Sequence, residues 1–360
     1  MRRAAIVGTG AIAAAHAEAL RAAGDRIELV AVVDVDAGRA AAFAKEWGVP
    51  RVHPRLATLL DVEKLDVVHV CTPPRHHVPL ALECLAANVN VLVEKPPALS
   101  LSEIDTLIAA ERGSSGRVAT VFQHRFGPAA IRLRRMISEG VLGRSLVAKC
   151  DTLWYRGDAY FDVPWRGSWD SEGGGPTMGH GIHQFDLMLS VLGPWQEIRA
   201  LAVRQARDVQ TEDVSMALVT FGDGTVASVI NSVLSPRETS EMRFDFERAT
   251  VEVEHLYGYT DAHWTVTPAP GNDDVVGRWR AEQSGVVSGH GCQMAAFLDA
   301  LDSGETPPVT LADTRNTMEF IAALYASAFT GTVVKAGQIG PDSPFYATME
   351  GIGAPWANAR

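Results

Sequence analysis

The chain has 360 residues, of which 47% are hydrophobic and 21% charged, with a formal net charge of −11. This is a globular composition, long enough for two domains with cores of their own. The negative balance excludes nucleic acid or an anionic membrane surface as the main partner, and no apolar run is long enough to span a bilayer.

The first apolar run, Ala4-Ala5-Ile6-Val7, leads into Gly8-Thr9-Gly10-Ala11-Ile12-Ala13. No apolar leader precedes it, so a cytoplasmic protein without a signal peptide is expected. An alanine-rich helical stretch follows, then Leu29–Val33 and Asp34. Strand, glycine turn, helix, strand and acid form a dinucleotide fingerprint. Gly8 permits the tight turn, and Gly10 lets backbone amides approach a pyrophosphate. Ala13 lets helix and strand pack closely, with Ala11 and Ile12 opening the helix toward the phosphates. Asp34 stands where a carboxylate accepts from the adenosine ribose hydroxyls. Val35 and Asp36 follow, so a 2′-phosphate would meet two carboxylates; NAD is favoured over NADP, with Arg39 the nearest cation.

Asp66–Cys71 reads as a strand buried on both faces, stopped by Thr72-Pro73-Pro74. A helix (78–87), a strand (89–93), a helix (102–112) and a strand (118–122) complete a parallel, doubly wound sheet over residues 1–122. In Val93-Glu94-Lys95-Pro96 a lysine stands at the C-terminal end of a parallel strand, where ligands of such sheets bind. Its ammonium can hydrogen-bond a substrate hydroxyl and stabilise developing negative charge on it.

Residues 123–360 read as a second domain for substrate and oligomer contacts. A helix (128–139) precedes period-two runs at 146–155, 197–204, 214–221, 225–233, 242–246 and 250–255. Phe221-Gly222-Asp223-Gly224-Thr225 signals a hairpin, and strands without intervening helices imply a mainly antiparallel sheet. Helices at 293–301 and 311–330 follow. The last twenty residues, rich in Gly and Pro, are expected to wrap an edge or interface. Cys71, Cys84, Cys150 and Cys292 lie far apart and read as small residues of a reducing compartment.

Within this domain, glycines 173–175 lead into a helix ending near Leu192, with Ile182, Phe185, Leu189 and Leu192 at helical spacing. His180, His183 and Asp186, three apart, share a neighbouring face. A histidine suits the proton removed as an alcohol becomes a ketone, and Asp186 is placed to orient it. These three lack a fourth ligand at motif spacing, so no metal is expected. Arg125 follows the last strand of the parallel sheet. Tyr155, Arg156, Tyr160, Trp165, Arg166 and Trp169 gather aromatic faces and guanidinium forks suited to a sugar ring.

Gly8-x-Gly10-x-x-Ala13, Thr72-Pro73-Pro74-x-x-His77, Glu94-Lys95-Pro96, Trp165-Arg166-Gly167 and the 173–186 segment together resemble the glucose-fructose oxidoreductase / inositol dehydrogenase / MocA (Gfo/Idh/MocA) family over nearly the whole chain. The resemblance implies a Rossmann domain followed by an α/β domain with a large open, mainly antiparallel sheet, one face of which contacts partners in a homodimer or homotetramer. It implies an NAD(P)-dependent dehydrogenase or reductase acting on CH–OH groups of sugars or cyclitols. By resemblance Lys95 and His183 are catalytic, with His180 beside them. Gly8, Gly10, Ala11, Ile12, Asp34, Thr72, Pro73, His77, Glu94 and Lys95 face the cofactor. Lys95, Arg125, Tyr155, Trp165, Arg166, His180 and His183 face the substrate. The peptide before Pro96 is often cis in relatives. The family commonly carries an aspartate four residues before the histidine, whereas this chain has Gly179. A redox-neutral enzyme acting through a keto intermediate and a dinucleotide-binding sensor are the other readings of the same motifs.

Overall fold

The structure, a computed structural model, describes residues 1–357, which form two compact units: Met1–Val121 with His290–Asn316, and Phe122–Gly289 with the residues from Thr317 on. In the first unit, β1 (Arg2–Val7), β2 (Ile27–Val33), β3 (Arg51–His53), β4 (Val67–Val70), β5 (Asn90–Val93) and β6 (Val118–Thr120) form a six-stranded sheet in the order β3-β2-β1-β4-β5-β6. Every pairing is parallel. All four residues of β4 are buried, as a strand covered by helices on both faces requires.

The helix His290–Ser303 belongs to this unit, although it follows more than a hundred residues of the second. Its Met294, Phe297 and Leu298 share a core with Ala13, Ala17 and Leu20 of the helix Ala13–Ala22. The alanines that let that helix lie close to the sheet leave its outer side short of apolar bulk, and the returning helix supplies it. The sequence reading, which placed 123–360 in one domain, has no period that signals such a return.

In the second unit, β7 (Ser145–Tyr155), β8 (Trp195–Val203), β9 (Val214–Phe221), β10 (Val226–Ser232), β11 (Leu234–Phe246), β12 (Ala249–His255), β13 (Trp264–Pro268) and β14 (Val334–Lys335) form one sheet. Its order is β13-β12-β11-β7-β10-β9-β8-β14, antiparallel except where β10 meets β7. The 221–225 hairpin joins β9 to β10, with Gly224 at φ +91°. The helix Ile182–Leu192 is buried along almost its whole length and packs against β7 and β11. The sheet's other face leaves Val147, Leu201, Met216, Leu218 and Val226 exposed. Met216 stands opposite Leu201, and Val226 opposite Val147.

The chain end reaches back to this unit, where the Trp356 indole N–H donates to the Gln210 carbonyl at 2.8 Å. Residues 358–360 lie outside the described residues. Among the described residues no helix is long and apolar enough to cross a membrane.

Candidate active site

In the first unit the turn after β1 is as the glycine pattern requires. Gly8 has φ +90°, and a Cβ there would lie 2.8 Å from the Cys71 carbonyl. A Cβ on Gly10 would instead meet open space, leaving room for a ligand to approach the backbone. The helix Ala13–Ala22 has no side-chain N-cap, so no side chain covers the terminus that would face an anion. The buried Thr72 hydroxyl after β4 has no hydrogen-bond partner. Room at Gly10, a helix terminus with no side chain over it and this orphan hydroxyl fit a dinucleotide.

Asp34 ends β2. Its Oδ2 accepts from the Thr9 amide and hydroxyl, both at 2.8 Å, and its Oδ1 from the Asp36 amide at 2.9 Å. The Arg39 fork completes the set, with Nη2 2.7 Å from Oδ1 and Nε 3.1 Å from Oδ2. Burial raises the Asp34 pKa, but these donors outweigh it and hold the carboxyl well below its usual range. Arg39, a cation that could otherwise greet a 2′-phosphate, is therefore paired with the acid that rejects it.

His77 spans the next two loops, with Nε2 2.7 Å from the Thr72 carbonyl and Nδ1 2.7 Å from the Pro96 carbonyl. It positions backbone on both sides of the crevice. Lys95 is half-buried at the end of β5, and the Lys95–Pro96 peptide is cis. Glu94 lies inward. Its Oε2 accepts from the Lys95 amide at 3.1 Å, and its Oε1 accepts from His16 Nε2 at 2.8 Å and His290 Nε2 at 3.0 Å. Burial would raise the Glu94 pKa, yet the two imidazole donors hold it well below the ordinary value. His16 turns its other nitrogen to His69, Nδ1 to Nδ1, at 2.8 Å. Neutral rings satisfy the chain if His69 donates to His16 and His16 donates to Glu94.

In the second unit, a π-helical turn over Thr177–Gly181 opens the helix that carries His183. A glycine is needed at 181, where a Cβ would lie 2.3 Å from Asn231 Oδ1. The His183 ring stacks on His124 with centroids 4.9 Å apart and meets Tyr257 edge-on at 6.0 Å. Gln184 holds His124 and His255, its Nε2 being 3.3 and 3.4 Å from their ring nitrogens. Burial lowers the His255 pKa to about 4, keeping that ring neutral.

His180, one turn away, has Trp154 edge-on at 5.0 Å and the Tyr160 hydroxyl 3.3 Å from Nε2. Arg166 bonds Tyr160, lies over the Tyr160 and Trp165 rings at 3.9 and 4.2 Å, and pairs with Glu172 at 2.9 Å. Burial pushes the Tyr160 phenol up to about 12, so it remains a neutral donor. Glu172 also accepts from the Gly167 amide at 2.7 Å, and its Oε1 lies 3.4 Å from where a Cβ on Gly179 would stand.

The histidines, Tyr160, Trp165 and Arg166 thus gather as the sequence suggests, but three other expected residues do not. Tyr155 is exposed under Arg207, because successive strand residues face opposite sides; its neighbour Trp154 meets His180 instead. Arg125 bonds Asp186 through Nη2 and, at 2.7 Å, through Nε, so Asp186 steadies the arginine. Trp169 packs on Tyr325 and Phe329 in the core. His124, Tyr257, Trp154 and Glu172 enter the site without a spacing signal. His124 has only its position beside Arg125, just after β6, to suggest it.

A parallel sheet with this glycine turn, helix terminus and acid defines an NAD-binding oxidoreductase. Residues 2–122 match the oxidoreductase family with an NAD-binding Rossmann fold, and residues 130–252 match the GFO/IDH/MocA C-terminal domain. The chain belongs to the Gfo/Idh/MocA family. D-glucoside 3-dehydrogenase of Escherichia coli is 29% identical, over 92% of this chain and 97% of that protein. A putative UDP-kanosamine synthase oxidoreductase subunit of Amycolatopsis mediterranei is 34% identical, over 65% of this chain and 69% of its own. The crystal structure of the WlbA dehydrogenase of Bordetella pertussis, in complex with NADH and UDP-GlcNAcA, shares the fold with a TM-score of 0.82 at 24% identity, over 92% of this chain and 98% of that one.

Proposed function

We propose that the protein transfers a hydride between NAD and one hydroxyl carbon of an uncharged sugar, glycoside or cyclitol. The observation that carries this reading is the setting of the two histidines. His183 is embedded among rings, while His180, Tyr160, Trp154 and the Arg166 guanidinium offer the stacking faces and hydrogen bonds that a pyranose takes. Full-length similarity to a D-glucoside 3-dehydrogenase supports the same class. Arg166 is balanced by Glu172 and Arg156 by Glu238, so the platform offers no uncompensated cation to a carboxylate.

Gly8, Gly10, Ala11 and Ile12 would hold the cofactor's pyrophosphate, Asp34 its adenosine ribose, and Thr72, Pro73, Glu94 and Lys95 its other end. Bound there, NAD supplies the hydride acceptor. His183 takes the proton of the substrate hydroxyl, and Lys95 hydrogen-bonds the same oxygen as its charge develops. His180 and the phenol of Tyr160 orient neighbouring hydroxyls. Glu172, reaching the space left open by Gly179, supplies the carboxylate that relatives carry on the helix itself. The exposed apolar face of the second unit's sheet fits a contact between copies, a homodimer or homotetramer, which light scattering measures directly. Buried thiols at Cys71, Cys84 and Cys150 suit a reducing, cytoplasmic setting.

The test is NADH formation from NAD with a panel of sugars, glycosides and inositols. Signal from one class fixes the substrate. With that substrate, Lys95→Ala is expected to lower kcat by about 10²- to 10³-fold while NAD still binds by calorimetry. Turnover near the wild-type rate removes the lysine from the mechanism.

A further inference from the structure

The first unit holds a second cluster of chemistry-bearing side chains, of which hydride transfer calls on Glu94 alone. His16 comes from the helix behind the glycine turn, Glu94 from the end of β5, and His290 from the first residue of the returning helix. They lie 78 and 196 residues apart in the chain, yet one nitrogen of each imidazole and one carboxylate oxygen all lie within 4.8 Å of one another. Both Nε2 atoms aim at the same oxygen, Glu94 Oε1, at 2.8 and 3.0 Å. Neighbouring ligands at tetrahedral angles around an ion with bonds of about 2.0–2.1 Å stand roughly 3.3 Å apart, so the two nitrogens need only a small outward shift from the carboxylate oxygen to share one ion.

We propose that His16, Glu94 and His290 form a binding site for a divalent transition-metal ion of the zinc type. Two imidazoles and one carboxylate are the donor set such ions prefer over calcium or magnesium. The surroundings support it independently. When His16 ligates through Nε2, its proton sits on Nδ1, which already faces the Nδ1 of His69 at 2.8 Å. A metal-bound imidazole regularly has such an acceptor behind it, fixing ring and tautomer. His69 is fully buried, and its own Nε2 has no partner, so its remaining proton is free to reside there. His16 and Glu94 are buried as well, whereas His290 keeps an 11% exposed side chain, which gives the ion an approach from solvent. Without the ion, the imidazole protons hold the same three groups together as a hydrogen-bonded cluster. With it, each ring keeps its one proton on Nδ1, and the ion stands where the Nε2 protons had been.

The site stands on the first unit's own residues and does not depend on the proposed substrate, so its test is metal content. The full chain, stripped with chelator, is dialysed against Zn²⁺ and against Co²⁺ and then analysed for bound metal and for visible cobalt absorption. The expected result is one ion per chain, with cobalt bands that signal nitrogen ligation. Both are lost in His290→Ala, whose side chain is the most accessible of the three. His69→Leu retains all three ligands and is expected to bind about 10- to 100-fold more weakly. Wild-type protein that retains no more zinc than folded His290→Ala, or none above the stripped background, overturns the proposal and leaves a hydrogen-bonded cluster only. Failure of the sugar panel does not bear on this outcome, and failure of metal binding does not bear on the panel.

Discussion

Asp34→Ser is expected to convert the protein from NAD toward NADP. In the wild type the Asp34 carboxyl, held well below its usual range, binds the Arg39 fork at 2.7 and 3.1 Å. A bound NAD would lose one charge-assisted hydrogen-bond set to its ribose, roughly 1.5–3 kcal/mol. The same substitution frees Arg39, whose side chain is 51% exposed, for a 2′-phosphate. The gain for NADP is of similar size, about 1.5–3 kcal/mol, before counting the repulsion removed. Together the ratio of kcat/KM for NADP over NAD rises by about 10²- to 10⁴-fold. The assay is initial rates with both cofactors at saturating substrate. The double variant Asp34→Ser with Arg39→Ala keeps the NAD loss but forfeits the NADP gain. A ratio that moves by less than about tenfold, or a gain that survives removal of Arg39, refutes the reasoning.

Other perturbations test the scaffold. Burial raises the Glu212 pKa to about 7, against hydrogen bonds from Thr177 and Tyr325. A carboxyl whose folded pKa lies above its unfolded value contributes stability that is present below about 4.5 and lost as pH rises through about 7, in total roughly 3 kcal/mol. Glu212→Gln should therefore flatten the decline between pH 5 and 8 in urea unfolding, and parallel curves for the two proteins would argue against it. Asp186→Ala leaves Arg125 without its buried partner and is expected to cost about 3–5 kcal/mol in the same measurement; a loss below about 1 kcal/mol means the pair is dispensable. Gly8→Ala forces a Cβ to within 2.8 Å of the Cys71 carbonyl at φ +90°, costs about 1–3 kcal/mol or more, and should weaken NAD binding by calorimetry. Unchanged affinity would show that the turn tolerates a side chain.

Much of this molecule is written locally. Glycine at 8 and 10, a small residue at 13 and an acid at 34 are short-range demands of one strand–helix–strand unit, and they are legible without a structure. So are the alternating strands of the second unit, the 221–225 turn, the lysine at the end of β5 and the helical spacing of His180 and His183. Contacts between distant segments are another matter, because no period along the chain encodes them. Strand pleating, not composition, turned Trp154 rather than Tyr155 toward His180. Burial made Arg125 and Asp186 partners, since neither charge is tolerated alone in the interior. His124, Tyr257 and Glu172 reached the histidines through three separate elements. The returning helix filled the gap left by alanines chosen for close packing, and so carried His290 to Glu94 across nearly two hundred residues. The sequence by itself determined the cofactor-binding turn and which elements carry the lysine and the two histidines. Which side chains stand beside them was decided only when folding excluded water and forced each buried polar group to find a partner.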